Sequence, residues 1–300
     1  MATPAPPTAT LLPGQLGLYA AQDSPYRTYP YFESGDLGAT KAVVFIGGLS
    51  NGLGGVPYTP KLSGELAKIG WKLVQTHWSS AYENFGRSSL DVDVAELGAL
   101  VTHLRKLGTR TIVVMGHSTG SQDVLRYLTH RADADGGIMQ APVSDREHFI
   151  LQPETKPWFD QLPLAEKLLA EGKGDTVLDY AFDAHGLRLT AYRAFSLLSP
   201  KGDDDYFSSD IPDTDGSGAY AHPLDESFGR LSAPALALYS EKDEYAHVPD
   251  IDAHIARWVK AAHGKLDTHV VKGANHAVED PAHQVDLAAA VVAWLGKTFK

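Results

Sequence analysis

A serine flanked by glycines is the strongest chemical signal in this sequence. Gly116, Ser118 and Gly120 stand in the run GHSTG, which follows the apolar segment TIVVM and precedes QDVLRYL, a segment with helical spacing of apolar residues. Glycines at these positions let the backbone turn sharply between a strand and a helix, so the serine hydroxyl stands clear of the sheet. Backbone N–H groups at the start of the helix favour developing negative charge. The pattern predicts a nucleophilic serine at residue 118.

A histidine and a carboxylate suited to activating this serine lie further along the chain. A serine hydroxyl is a weak nucleophile at neutral pH, so it needs a histidine base that a carboxylate holds in one tautomer. Asp243 follows the apolar run ALALY, and His276 follows the apolar run THVV in a glycine-bearing loop. The chain order of serine, aspartate and histidine is that of the α/β-hydrolases. We therefore predict a catalytic triad of Ser118, Asp243 and His276.

Three other carboxylates compete for the role of the acid. Glu241 and Glu244 flank Asp243, and Asp145 follows the preceding predicted strand. We prefer Asp243 because its distance from the end of its strand fits the usual acid loop, whereas the two glutamates fit solvated neighbours.

The tetrahedral intermediate of acyl transfer needs two preorganised N–H donors for its oxyanion. One donor comes from the residue after the nucleophile and the other from the loop after the third strand. These positions are Thr119 and either Gly48 or Leu49, in the glycine-rich run GGLSNGLGG. The same run lacks the Gly-Lys-Ser/Thr ending of a phosphate-binding loop and the spacing of a dinucleotide-binding loop, so nucleotide binding is disfavoured.

Short apolar runs alternate with amphipathic stretches, which is typical of a mostly parallel twisted sheet flanked by helices. The predicted core strands are Lys41 to Ile46, Trp71 to Thr76, Thr111 to Met115, Gly137 to Gln140, Ala235 to Tyr239 and Thr268 to Val271, with an antiparallel edge near Leu16 to Tyr19 and Arg27 to Phe32. The predicted helices are Pro60 to Ile69, Leu90 to Leu107, Gln122 to His130, Ile251 to Ala262 and Ala282 to Thr298.

The alternation of predicted strands and helices is interrupted between core strands 6 and 7, where residues 151–230 form an insertion. We predict a flexible arm over residues 1–13, an α/β-hydrolase core over 14–150 and 231–300, and a lid or cap over 151–230. The insertion holds 15 acidic and 7 basic residues, including Asp203, Asp204 and Asp205 in a row. Two interpretations remain open: a solvated acidic surface, or a lid that favours a cationic or metal-loaded substrate.

Composition excludes several classes of protein. The net charge of −11 opposes nucleic-acid binding, and the absence of cysteine excludes disulfides, thiolate metal sites and a cysteine nucleophile. The longest uncharged stretch is broken by glycines and prolines, so no membrane span is expected. We expect a soluble cytoplasmic protein that needs no cofactor and no metal. A homodimer through an exposed edge strand stays open.

Several segments together resemble a family of fungal and plant α/β-hydrolases, formerly of unknown function, that includes fusarinine C esterases. These segments are FIGGL (residues 45–49), MGHSTGSQD (115–123), QAPVSDRE (140–147), YFSSD (206–210) and SEKDEY (240–245). The resemblance runs from about residue 14 to the end of the sequence, and QAPVSDRE is its most specific segment. Ser121 departs from the pattern, since relatives often have cysteine there.

The resemblance implies a serine esterase that hydrolyses the ester bonds of a hydroxamate siderophore, with a small-molecule ester and its ferric complex as partners. Ser50, His117, Asp145 and Arg146 are candidate substrate-binding residues, and Arg146 fits equally well as a structural ion pair between lid and core. Two alternatives remain: an esterase, lactonase or thioesterase for another polyketide or peptide metabolite, and a non-catalytic binding protein on the same scaffold.

Overall fold

A computed structural model of the protein describes residues 12–21, 24–182 and 186–300. The predicted arm over residues 1–13 lies outside the described residues, apart from its last two positions. Ten strands and nine helices form within the described parts of the chain.

The strands are β1 (Gly14–Ala21), β2 (Ser24–Gly35), β3 (Lys41–Ile46), β4 (Lys72–Thr76), β5 (Thr111–His117), β6 (Gly136–Gln140), β7 (Val177–Ala181), β8 (Arg188–Thr190), β9 (Ala235–Ser240) and β10 (Leu266–Val271). The helices are α1 (Thr59–Lys68), α2 (Leu90–Lys106), α3 (Thr119–His130), α4 (Asp145–Ile150), α5 (Lys156–Phe159), α6 (Leu162–Ala170), α7 (Ala191–Leu198), α8 (Ile251–Ala261) and α9 (Pro281–Thr298).

Eight strands form the central sheet in the order β1-β2-β4-β3-β5-β6-β9-β10. β2 pairs antiparallel with β1 and with β4, and every other described pairing in this sheet is parallel. The inner strands are continuous apolar runs because helices cover both of their faces. Parallel strands end at the same edge of the sheet, so the loops after β3, β5, β6, β9 and β10 meet there.

Side chains alternate between two apolar layers on opposite faces of the sheet. Val44 and Val114 pack on one face with Leu97 of α2 and Trp258 of α8. Val43, Met115 and Leu238 pack on the other face in a layer that includes Leu62 of α1 and Val291 of α9. Successive residues of a strand point to opposite faces, so each inner strand supplies both layers.

The insertion between β6 and β9 has two parts that differ in their packing. Its first part contains α5 to α7 and the β7–β8 hairpin, and it packs around an apolar cluster that includes Leu178 and Leu197 together with Phe85 from the segment after β4. Its second part has no long element, yet Tyr206, Phe207 and Phe228 are buried in the core layer, and the last two pack against Trp258 of α8. Both parts therefore contact the rest of the fold, the first through Phe85 and the second through the core layer.

The acidic run in the insertion is not a solvated surface. Asp204 is fully buried and its carboxylate lies 2.7 Å from Nη1 of Arg193. Asp205 is also buried, with Oδ2 2.6 Å from Nε of Arg146. The sequence interpretation of a solvated acidic cluster is wrong for these residues because arginines from α7 and α4 pair with them inside the protein.

Candidate active site

Ser118 occupies a strained turn between β5 and α3. Its backbone has φ 56° and ψ −122°, a positive φ that non-glycine residues rarely adopt. The flanking glycines are required by close packing: a Cβ on Gly116 would lie 1.8 Å from the carbonyl oxygen of Gly120. A Cβ on Gly120 would lie 2.6 Å from the carbonyl oxygen of Gly47. The sequence therefore folds here into the strand, turn and helix of a nucleophile elbow.

His276 and Asp243 are in direct contact at the same edge of the sheet. Nδ1 of His276 lies 2.9 Å from Oδ1 and 2.8 Å from Oδ2 of Asp243. Both residues are buried, and the Asp243 carboxylate is fully so. A carboxylate on Nδ1 fixes the tautomer in which Nε2 of His276 carries a lone pair that can accept a proton.

The three rival carboxylates have other partners. Oε1 of Glu241 pairs with Lys272 at 2.9 Å, and Oε2 of Glu244 accepts the backbone N–H of His276 at 2.9 Å. Oδ2 of Asp145 accepts the hydroxyl of Thr119 at 3.4 Å. Within the described residues, Asp243 is thus the carboxylate on Nδ1 of His276.

The loop after β3 comes close to Ser118. A Cβ on Gly48 would lie 2.7 Å from Cβ of Ser118 and 3.3 Å from its hydroxyl oxygen. The N–H of Gly48 already donates to Oδ1 of Asn51 at 2.9 Å. The backbone N–H groups of Leu49 and Thr119 have no hydrogen-bond acceptor among the described residues. Of the two predicted alternatives for the second donor, Leu49 is therefore the one whose N–H is not already used.

His117 lies beneath the site as a neutral residue. Its Nδ1 is 2.6 Å from Oε1 of Gln140, which also accepts the hydroxyl of Tyr58 at 2.9 Å. Burial, with a contribution from His276, lowers the pKa of His117 to about 3. Nε2 of Gln140 donates to the carbonyl of His276 at 3.3 Å. Gln140 thus connects the ends of β5 and β6 to the histidine loop.

Ser118 and His276 border one cavity of about 400 Å³. Ser50, His117 and Asp145 also line it, together with Leu49, Val143, Phe149, Tyr245 and parts of the glycine-rich loop. A cavity of this size is typical of a small-molecule site.

Arg146 does not line this cavity. Its guanidinium forms ion pairs with Asp205 at 2.6 Å and with Asp210 at 2.5 Å. These bonds connect α4 to the second part of the insertion, so the structure places Arg146 in an ion-pair network beside the site.

Sequence reasoning missed two contributors to the site. Asn51 fixes the glycine-rich loop through Gly48, and its place inside that glycine run was the available signal. Tyr245 packs edge-on against His276 with ring centroids 4.6 Å apart, and its position two residues after Asp243 was the only hint.

Neither a metal centre nor a membrane span is visible in the described parts of the chain. No group of three or more potential ligands among those residues is arranged to hold a metal ion. No helix there is both long and apolar enough to cross a membrane.

Comparison with known proteins identifies the family. The family described as a protein of unknown function, DUF1749, matches residues 1–296. The chain belongs to the DUF1749 family. The resemblance seen in the sequence is thereby confirmed.

Curated relatives and a solved structure agree with the DUF1749 assignment. UPF0613 protein PB24D3.06c of Schizosaccharomyces pombe is 36% identical over 217 residues, covering 68% of this chain and 68% of that protein. Fusarinine C esterase sidJ of Aspergillus fumigatus is 30% identical over 299 residues, covering 80% of this chain and 83% of that protein. Siderophore hydrolase EstB of Aspergillus fumigatus superposes with a TM-score of 0.76 at 27% identity, covering 96% of this chain and 98% of its own. The predicted α/β-hydrolase fold is confirmed.

Proposed function

We propose that this protein is a serine hydrolase in which Ser118 is the nucleophile, His276 the general base and Asp243 the orienting acid. The observation that carries the proposal is the pair of contacts, 2.8 and 2.9 Å, between the Asp243 carboxylate and Nδ1 of His276. His276 of that pair lines the same cavity as Ser118, which lies on its strained turn. The similarity to proteins named fusarinine C esterase and siderophore hydrolase supports a carboxylic ester hydrolase.

The chemistry proceeds in two half-reactions. Nε2 of His276 takes the proton of the Ser118 hydroxyl as its oxygen attacks the ester carbonyl, while Asp243 stabilises the imidazolium. Collapse of the tetrahedral intermediate breaks the bond to the alcohol, which leaves with the proton from His276. Water then attacks the acyl-serine, again losing a proton to His276, and the acid is released as Ser118 recovers its proton.

The oxyanion of each intermediate needs fixed donors in a site shielded from water. We assign these donors to the N–H groups of Thr119 and Leu49, because both lack an acceptor among the described residues and flank the nucleophile. Such donors cost no reorganisation when the negative charge develops.

For the substrate we propose a hydroxamate siderophore of the fusarinine C type. The names of the two relatives from Aspergillus fumigatus support this class, and the cavity of about 400 Å³ has the size of a small-molecule site. The ferric ion enters as part of the substrate.

The test is mass-spectrometric product analysis of wild type and Ser118→Ala with fusarinine C, its triacetylated form and p-nitrophenyl acetate. We expect wild type to release linear trimer, dimer and monomer in steps, and Ser118→Ala to release none while keeping its melting temperature. Turnover by Ser118→Ala within tenfold of wild type would refute the nucleophile.

If only p-nitrophenyl acetate were hydrolysed, the assignment as a serine esterase would stand and the proposed siderophore substrate would be refuted. A fluorophosphonate probe that fails to label Ser118 in the folded wild type would instead indicate a binding protein without catalysis.

A further inference from the structure

One acidic side chain lines the cavity that holds Ser118. Asp145 is the only carboxylate among the described residues that line it, and neither lysine nor arginine lines it there. Oδ2 of Asp145 accepts the Thr119 hydroxyl, and Thr119 directly follows the nucleophile. The hydrogen bond that the described residues donate to this carboxylate goes to Oδ2 and not to Oδ1. The carboxylate therefore keeps an acceptor position open beside the reacting serine.

The nearby arginines are already paired with other carboxylates. Arg193 lies 2.7 Å from Asp204, and Arg146 pairs with Asp205 and Asp210. Arg193 acts on Asp145 only through its longer-range field. Asp145 is consequently a partly buried carboxylate without an ion pair of its own among the described residues.

Burial without an ion pair is costly for a carboxylate. Desolvation raises the pKa of Asp145 above its ordinary value, although Arg193 and His276 oppose that shift. A cation that entered the cavity would restore the interaction energy that Asp145 lost on leaving water. Neutral imidazole at His117 and the phenol of Tyr245 do not supply such a charge.

We propose that Asp145 binds a protonated amine of the substrate, so that the preferred substrates are esters carrying an ammonium group within reach of the scissile bond. This inference rests on the proposed serine esterase activity and names a substrate class for its site. Asp145 acts here as a specificity-determining residue that contacts substrate.

A different role for Asp145 predicts a different result. If its carboxylate only stabilised the imidazolium of His276, its loss would slow neutral and cationic esters by the same factor. If Asp145 binds an ammonium group, its loss instead changes the ratio of kcat/KM for cationic esters to kcat/KM for neutral esters.

The experiment compares methyl 6-aminohexanoate and methyl β-alaninate with their N-acetyl counterparts, which carry the same ester without the charge. Each kcat/KM is measured at pH 7.5 for wild type, Asp145→Asn and the control Asp160→Asn, whose carboxylate lies exposed on the cap. We expect wild type and Asp160→Asn to prefer at least one amine ester over its acetylated form by about tenfold or more. Asp145→Asn should reduce that preference about tenfold.

A second measurement uses wild type alone and does not depend on how a variant folds. Butylammonium should inhibit hydrolysis of p-nitrophenyl acetate competitively, and butanol at the same concentration should inhibit it much less. Equal inhibition by both, no preference for either amine ester, or an equal loss on both esters in Asp145→Asn would each overturn the proposal. Absence of p-nitrophenyl acetate hydrolysis and of fluorophosphonate labelling would instead indicate that the esterase assignment itself fails.

Discussion

Nδ1 of His276 lies within 2.9 Å of both carboxylate oxygens of Asp243, although 33 positions separate the two residues in the chain. The pairing arises because β9 and β10 are parallel neighbours with Ser240 opposite Val271, so their following loops start side by side. The backbone adds a second constraint, since the N–H of His276 donates to Glu244 in the Asp243 loop. The imidazole is thus held by its ring and by its main chain.

We expect Asp243→Asn to lower kcat by about 10⁴ while the fold is kept, because an amide favours the wrong tautomer of the imidazole. Steady-state kinetics with p-nitrophenyl acetate measures this loss. Glu241→Gln is the matched control, since Glu241 lies in the same loop and pairs with Lys272 at the surface. A loss of kcat below tenfold in Asp243→Asn would indicate that another carboxylate orients His276.

Asn51→Ala should lower kcat by roughly 10- to 100-fold with little change in KM, somewhat less than the loss of an oxyanion donor itself. The side chain of Asn51 fixes Gly48, and through it the loop that presents the N–H of Leu49. Leu53→Ala, in the same loop but outside the cavity lining, serves as the control. Unchanged kcat in Asn51→Ala would mean that the loop is held without this contact.

Gly120→Ala should unfold or strongly destabilise the protein, because its Cβ would overlap the carbonyl oxygens of Ile46 and Gly47. Gly64→Ala provides the comparison: Gly64 is exposed inside α1 and a Cβ there meets nothing within 4 Å. Alanine at that position should raise the free energy of unfolding by about 0.5 to 1 kcal/mol. Urea unfolding followed by circular dichroism distinguishes the two variants. Equal stability of both would contradict the packing described for the elbow.

The contribution of Asp93 to the free energy of unfolding should fall as pH rises from about 4 to 7, opposite in sign to the contribution of buried histidines such as His117, whose pKa is lowered. Burial raises the pKa of Asp93 to about 7 in the folded protein, while the carboxyl in the unfolded chain has its ordinary pKa of 3.8. The folded state therefore holds more protons than the unfolded chain in this pH range. Each extra proton lowers the free energy of unfolding by about 1.4 kcal/mol for every unit by which the pH rises. Asp204 contributes in the same direction, since burial raises its pKa to about 7 as well.

Asp93→Asn should remove part of that pH dependence, because an amide cannot titrate. Urea unfolding at several pH values measures the slope, and Asp179→Asn, on the exposed β7–β8 hairpin, should keep the wild-type slope. An identical slope in Asp93→Asn would show that Asp93 is ionised in the folded protein throughout this range.

The sequence predicts the core sheet well because continuous apolar runs must be covered on both faces. The predicted strand from Thr111 to Met115 is found as β5, and the segment from Ile251 to Ala262 as α8. α3 begins at Thr119 and not at the predicted Gln122, since the elbow forces helical backbone onto a glycine-rich segment of low helix propensity.

The sequence does not predict the long-range contacts. Tyr206, Phe207 and Phe228 fill the core although no periodic pattern surrounds them. The burial of Asp204 depends on Arg193 of another element, and a run of three aspartates favours a solvated surface when it is considered by itself. Leu49 and Gly48 were indistinguishable as donors because their difference lies in one side-chain contact of Asn51.

At position 118 the positive φ lowers the stability of the fold, whereas the proposed reaction needs the serine hydroxyl there. A residue held in such a conformation costs about 1 to 3 kcal/mol, and glycine, which adopts it freely, would recover part of that energy. A laboratory selection that scored only survival of heating would therefore favour variants that have lost Ser118, the proposed nucleophile. Thermostable variants of this protein have to be sought by screening for activity and heat resistance together.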